Sequence, residues 1–171
     1  MKLLLPIFIA MFSLSANAVD CNVHKIFCKI KEVQPRMSDQ RAMELSDALY
    51  VNAKKYKGDA MLAVAIGMQE TSLRETDRKE RVILFGENDT WEIIEGSTDI
   101  CMFQFHVNTI VEYKINPVKL KNDLNYCVEW HFKLMNKKKR YCKHMEKPWA
   151  CYHSATEKYR NKYIELVERF L

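Results

Sequence analysis

Glu70 stands where a soluble chain has little structural use for a carboxylic acid. The stretch Asp59–Leu73 reads DAMLAVAIGMQETSL, apolar from Ala60 to Met68 apart from Gly67, so that a helix here has no polar face and must be buried. At 100° per residue Glu70 falls on the stripe of Leu62, Ala63, Ile66 and Gly67. Apolar surroundings penalise the charged form of a carboxyl, and the negative end of the helix dipole repels an anion. Both favour the protonated acid, which is the state a general acid needs near neutral pH. The competing reading is a buried structural Glu neutralised by a Lys or Arg from elsewhere in the fold.

The chain around this residue reads as one domain behind a leader. Met1-Lys2, the apolar run LLLPIFIAMFSL and Ala16-Asn17-Ala18 form a secretory signal pattern, with cleavage expected after Ala18. A membrane-spanning helix needs about 20 apolar residues, and no later run supplies them. The expected product is exported to a periplasm or the extracellular space, with a lead-in over 19–36 and the main domain over 37–171. Six cysteines, Cys21, Cys28, Cys101, Cys127, Cys142 and Cys151, all follow the leader. An even count in an exported chain points to disulfides, with fifteen possible pairings. Cys142-Lys143-His144 and Cys151-Tyr152-His153 raise zinc as an alternative, but zinc pairs are usually spaced by two or more residues and export disfavours free thiolates. Formal charge is +5, a modest excess that includes the run Lys137-Lys138-Lys139-Arg140, expected as an exposed loop. An anionic polymer suits such a surface, and nucleic acid is not the expected partner outside the cytoplasm.

The elements that must position Glu70 follow from local patterns. Cys21–Arg36 is basic, is stopped at Gln34-Pro35, and is expected as a small disulfide-stapled segment. Ser38 can cap a helix to about Tyr56, with Ala42, Leu45, Leu49, Ala53 and Tyr56 on one face. Lys57-Gly58 ends it, and Asp59 can cap the buried helix. Arg81–Phe85 and Thr90–Glu95 are β-branched and aromatic around Gly86-Glu87-Asn88-Asp89, the pattern of a hairpin. Met102-Phe103-Gln104-Phe105 is expected to open a helical run to about Tyr113, stopped at Asn116-Pro117. From Val118 a long amphipathic helix carries Leu120, Leu124, Cys127, His131 and Leu134 on one side, with His131 a core histidine expected to have a hydrogen-bond partner. Tyr159, Tyr163, Leu166 and Phe170 form the stripe of a last helix. The order is a mainly helical α+β domain with one small hairpin.

Three stretches then occur in a telling order: Glu70-Thr71-Ser72-Leu73 at the end of a buried helix, Ser97-Thr98-Asp99-Ile100-Cys101-Met102-Phe103-Gln104 after a hairpin, and Ala150-Cys151-Tyr152-His153-Ser154 before the last helix. Over roughly Arg36 to Leu171 this resembles the catalytic domain of lytic transglycosylases of the soluble type, lysozyme-like enzymes related to goose-type lysozyme that cleave peptidoglycan glycan strands. Glu-Thr-Ser-Leu resembles the family's Glu-Ser-Ser motif. Cys101-Met102-Phe103-Gln104 resembles its Gly-Leu-Met-Gln with Cys for Gly, and Cys151-Tyr152-His153 keeps only the tyrosine of its Ala-Tyr-Asn. The resemblance implies a lysozyme-like fold, peptidoglycan as partner, no cofactor and no metal, and Glu70 as catalyst. Cleavage would be assisted by the N-acetyl group of N-acetylmuramic acid and would leave a 1,6-anhydro end.

By the same resemblance Ser97 and Gln104 line the cleft, Tyr152 orients Glu70, and Met102 and Phe103 offer apolar surface to the sugar or belong to the core. The family's fold brings the second and third segments together, which implies a Cys101–Cys151 disulfide. Local links Cys21–Cys28 and Cys127–Cys142 are the remaining candidates. Thr71 reads as a helix-end cap. Asp99 is either a cap or a second carboxylate that would favour attack by water; in a hydrolysing lysozyme Asp99, Glu92 or Glu95 would position that water. A catalytically silent glycan-binding envelope module is the alternative from another class.

Overall fold

A computed structural model describes residues 21–74, 83–85, 91–93 and 99–171. The expected leader at 1–18 and the expected turn at 86–89, together with Glu95 and Ser97, lie outside the described residues.

The lead-in is a helix rather than a stapled loop. In α1 (Cys21–Val33), Val23, Ile26 and Ile30 are buried at helical spacing against α2 (Asp39–Tyr56) and α3 (Ala60–Thr71). The seven-residue separation of Cys21 and Cys28 on a helix is about 10 Å along the axis, too far for a mutual disulfide, and both thiols are free and exposed. The caps of the next two helices are those expected. Ser38 Oγ accepts from Arg41 N at 3.2 Å, Lys57 closes α2 in a left-handed conformation, and the Asp59 carboxylate accepts from Met61 N and Leu62 N. Gly58 between them is required by space, since a Cβ there would lie 2.4 Å from the ring of buried Phe132.

Ile83–Phe85 (β1) pairs antiparallel with Trp91–Ile93 (β2), Phe85 opposite Trp91, which is the expected hairpin. A second two-stranded ladder was not expected: Asp99–Ile100 (β3) pairs with Phe105–His106 (β4), so 101–104 is a tight turn and not the start of a helix. The helix begins later, as α4 (Val107–Glu112). The amphipathic stretch from Val118 is likewise two helices, α5 (Pro117–Asn122) and α6 (Leu124–Tyr141). Asp123 ends the first in an extended conformation and caps the second, accepting from Tyr126 N at 3.0 Å. The basic run 137–140 lies in the last turns of α6, not in a loop. A 3-10 helix over Pro148–Tyr152 leads to α7 (Glu157–Glu168), whose buried residues are Tyr163 and Val167 while Tyr159 is exposed.

The domain is a mainly helical α+β fold with α3 at its centre. α3 is buried on every side from Leu62 to Gly67 and packs against α1, α2 and α7, while α6 covers α2 and the 3-10 helix. No helix among the described residues is long and apolar enough to cross a membrane.

Two disulfides join the elements, and both differ from the expected pairs. Cys101 bonds Cys127, tying the β3–β4 turn to α6, and Cys142 bonds Cys151, tying the end of α6 to the 3-10 helix. Neither Cys101–Cys151 nor Cys127–Cys142 forms. The two segments do converge, but Cys101 finds its partner within α6 and Cys151 finds its partner at the residue that caps α6.

Candidate active site

Glu70 occupies the last turn of α3, half-buried. The helix ends one residue later, at Thr71, by the chemistry of its termination: Ser72 and Leu73 adopt left-handed conformations, and their N–H groups return to Met68 O at 2.9 Å and Gly67 O at 3.0 Å. The reversal places Leu73 in the core, 3 % exposed, beside Gly67, where a Cβ would meet the Leu73 side chain at 2.5 Å. Glu70 is thereby held at a helix terminus with its carboxyl leaving the apolar stripe.

The group that holds the carboxyl is Tyr163. Its hydroxyl donates to Glu70 Oε1 at 2.6 Å, from α7, across 93 residues of chain. Among the described residues no cation stands in ion-pair range of Glu70. Burial pushes the carboxyl above the usual carboxylate range, the Tyr163 hydrogen bond opposes this, and the charge of Asp99 adds to the rise. Asp99 on β3 is thus close enough for one carboxylate to be felt by the other. Burial, followed by the neighbouring Glu70, pushes the Tyr163 phenol up in turn, so it acts as a donor and not as a phenolate.

Tyr163 is itself fixed from both sides. His153 stacks on its ring, centroids 4.5 Å apart and planes at 7°, and Trp149 leans against it at 6.3 Å. His153 is exposed, yet partial desolvation lowers its pKa. The imidazole at position 153 has a structural use here, since its flat ring stacks on the phenol of Tyr163.

Tyr152 does not reach Glu70 with its hydroxyl. It donates to Phe103 O at 2.9 Å, which fixes the β3–β4 turn, while the Glu70 carboxyl lies near enough to raise the phenol's pKa further beyond the effect of burial. The α7 tyrosine was visible in the sequence only as a stripe residue, with no motif attached to it.

The turn between β3 and β4 brings the second motif against the first. Thr71 Oγ1 donates to Met102 O at 2.9 Å, a buried bond that locks the end of α3 to the turn; the cap itself is Ser72, and Thr71 is the last helical residue. Cys101 and Gln104 both have positive φ, 70° and 52°, the region that favours glycine. At Cys101, where the family resembled has glycine, the disulfide to Cys127 holds a non-glycine residue in that conformation. Gln104 donates to Cys101 O at 3.1 Å and is half-buried. Met102 and Phe103 are core residues, 2 % and 0 % exposed, and offer no surface to a ligand: the turn folds them under α3 and α6. Phe103 stacks on His131 at 3.9 Å.

His131 is in the core, as expected, but among the described residues its buried Nδ1 has no hydrogen-bond partner. Burial, with a smaller contribution from Lys139, holds its pKa down to about 3. It is a neutral aromatic spacer between Phe103, Phe132 and Tyr152. No cluster of three metal-binding side chains occurs among the described residues.

Compared with protein-family models, with curated proteins and with solved structures, the chain matches none.

Proposed function

We propose that this chain is an exported peptidoglycan lytic transglycosylase with Glu70 as its catalytic acid and base. The observation that carries the reading is the state of that carboxyl: half-buried at a helix end, pushed toward its protonated form, and held by the neutral hydroxyl of Tyr163. A structural buried Glu is normally neutralised by a charge, and among the described residues no cation stands in ion-pair range of this one.

In this reading Glu70 protonates the oxygen bridging N-acetylmuramic acid and N-acetylglucosamine as the β-1,4 bond breaks. The N-acetyl group shields the oxocarbenium-like centre that remains. The carboxylate then takes the proton of the sugar's own 6-hydroxyl as that oxygen closes on C1, which yields the 1,6-anhydro end and restores the acid. Tyr163 keeps one carboxyl oxygen occupied and leaves the other for the substrate. Gln104, Tyr152 and Ser97 are the proposed glycan contacts.

Asp99 supports a second reading. Its charge is felt at Glu70, as expected of a second carboxylate that could position water and make the enzyme a hydrolysing lysozyme. Incubation with purified peptidoglycan and identification of the sugar ends by mass spectrometry tests both. Anhydro-muramic ends support the lyase, and reducing muramic ends support hydrolysis. No release by the wild type, with retained glycan binding, would leave a silent binding module.

A further inference from the structure

We propose that the outer face of α6 is a binding groove for an extended acidic polypeptide segment, a function that goes beyond glycan cleavage and does not rest on Glu70. A groove of about 680 Å³ is lined by Tyr56, Tyr113, Trp130 and Leu134 together with Lys133, Lys137, Lys139, Arg140 and Lys143, with Asn136 completing it; no acidic residue is among the described residues that line it. It shares no lining residue with the site around Glu70.

Two of the cations are held in place. Lys133 Nζ lies 4.7 Å from the Trp130 ring centre and Lys137 Nζ 4.1 Å from that of Tyr113, so part of the entropy cost of ordering these side chains is met before any ligand arrives. Lys133 is also paired with Glu129 at 3.2 Å. Among the described residues no carboxylate stands within ion-pair range of Lys137, Lys139, Arg140 or Lys143, and the Trp130 indole N–H, a donor only, is buried without a partner. The helix dipole favours cations in the last turn, which accounts for Lys138 to Arg140. It does not account for Lys133 and Lys137 seated over aromatic rings further back.

The spacing selects the ligand. Lys133, Lys137 and Arg140 follow one another on one face of α6 and span about 10 Å along its axis, too long for a single carboxylate or phosphate. The rise from Lys133 to Lys137 is about 6 Å, close to the roughly 6.6 Å between same-side residues of an extended chain. Alternate acidic side chains of such a segment can each meet a cation, with the residues between resting on Leu134 and the aromatic edges.

The test measures binding of a labelled, end-capped alternating glutamate–serine peptide to the intact oxidised protein by fluorescence anisotropy, beside a glutamine–serine peptide and inorganic polyphosphate. The glutamate peptide is expected to bind with an affinity that falls as salt is added, and the glutamine peptide is not. The double variant Lys137→Glu/Arg140→Glu, exposed at both positions, should bind at least about tenfold more weakly, and the milder Lys137→Met/Arg140→Gln should fall between. Glu70→Gln should bind as the wild type does. Equal binding of the two peptides, or unchanged binding by folded variants of both kinds, overturns the proposal. Binding of polyphosphate without the glutamate peptide overturns the polypeptide in favour of a phosphate polymer.

Discussion

The Tyr163 hydroxyl donates to Glu70 Oε1 at 2.6 Å, joining the last helix to the end of the central one. A hydrogen bond to the carboxylate favours ionisation, and here it opposes a larger effect of burial. Tyr163→Phe removes the opposing influence, so the Glu70 pKa should rise further. In the proposed reaction the pH limb that reports loss of the protonated acid should move to higher pH, as read from the rate of glycan release against pH. A limb that stays in place or moves down would show that Tyr163 does not act on this carboxyl.

Glu70→Gln should abolish turnover without unfolding the protein. The amide oxygen can still accept from Tyr163, and the desolvation cost of a charge disappears. Because the folded carboxyl titrates above its ordinary value of 4.5, its stabilising contribution is complete below that value and is lost as pH rises through the raised one. The variant should therefore match the wild type in acid and exceed it in urea resistance at higher pH. A variant less stable than wild type at every pH would contradict the assignment.

Thr71→Val keeps shape but removes the donor to Met102 O. A buried carbonyl left without its partner costs about 1 to 3 kcal/mol, which denaturant titration would detect. A loss well under 0.5 kcal/mol would mean that the bond does not lock the turn.

His131 makes stability depend on acid. Its folded pKa, about 3, lies below the ordinary 6.5, so its contribution is complete above about 6.5 and is lost as pH falls toward 3. The unfolding midpoint should decline through that window, and His131→Phe, which cannot charge, should flatten the decline even if it lowers stability at neutral pH. Equal slopes in both proteins would refute this.

Peptide mapping without reduction should recover Cys101 with Cys127 and Cys142 with Cys151. Replacing Cys101 and Cys127 together by Ser should cost about 3 kcal/mol by loop entropy and should also release the positive φ at Cys101. A peptide joining Cys101 to Cys151 would overturn the arrangement.

The sequence by itself determined what neighbours within a few residues decide. Ser38 and Asp59 cap their helices because the side-chain oxygen and the free N–H groups lie within three residues of each other. The apolar run 60–68 had to become a buried helix, and Glu70 had to lie on its stripe. Where the local signal was ambiguous it misled: Met102-Phe103-Gln104-Phe105 suits a helix by composition, yet the pairing of Asp99 with His106 makes its first three residues part of a turn and Phe105 part of a strand, with Met102, Phe103 and Phe105 in the core. Only the tertiary structure decided that Tyr163 and not Tyr152 holds Glu70, and that α6 and its C-terminal cap supply the partners of the two disulfides. Those choices join residues as far as 93 positions apart, and periodicity carries no information about which distant side chains packing will bring within 3 Å.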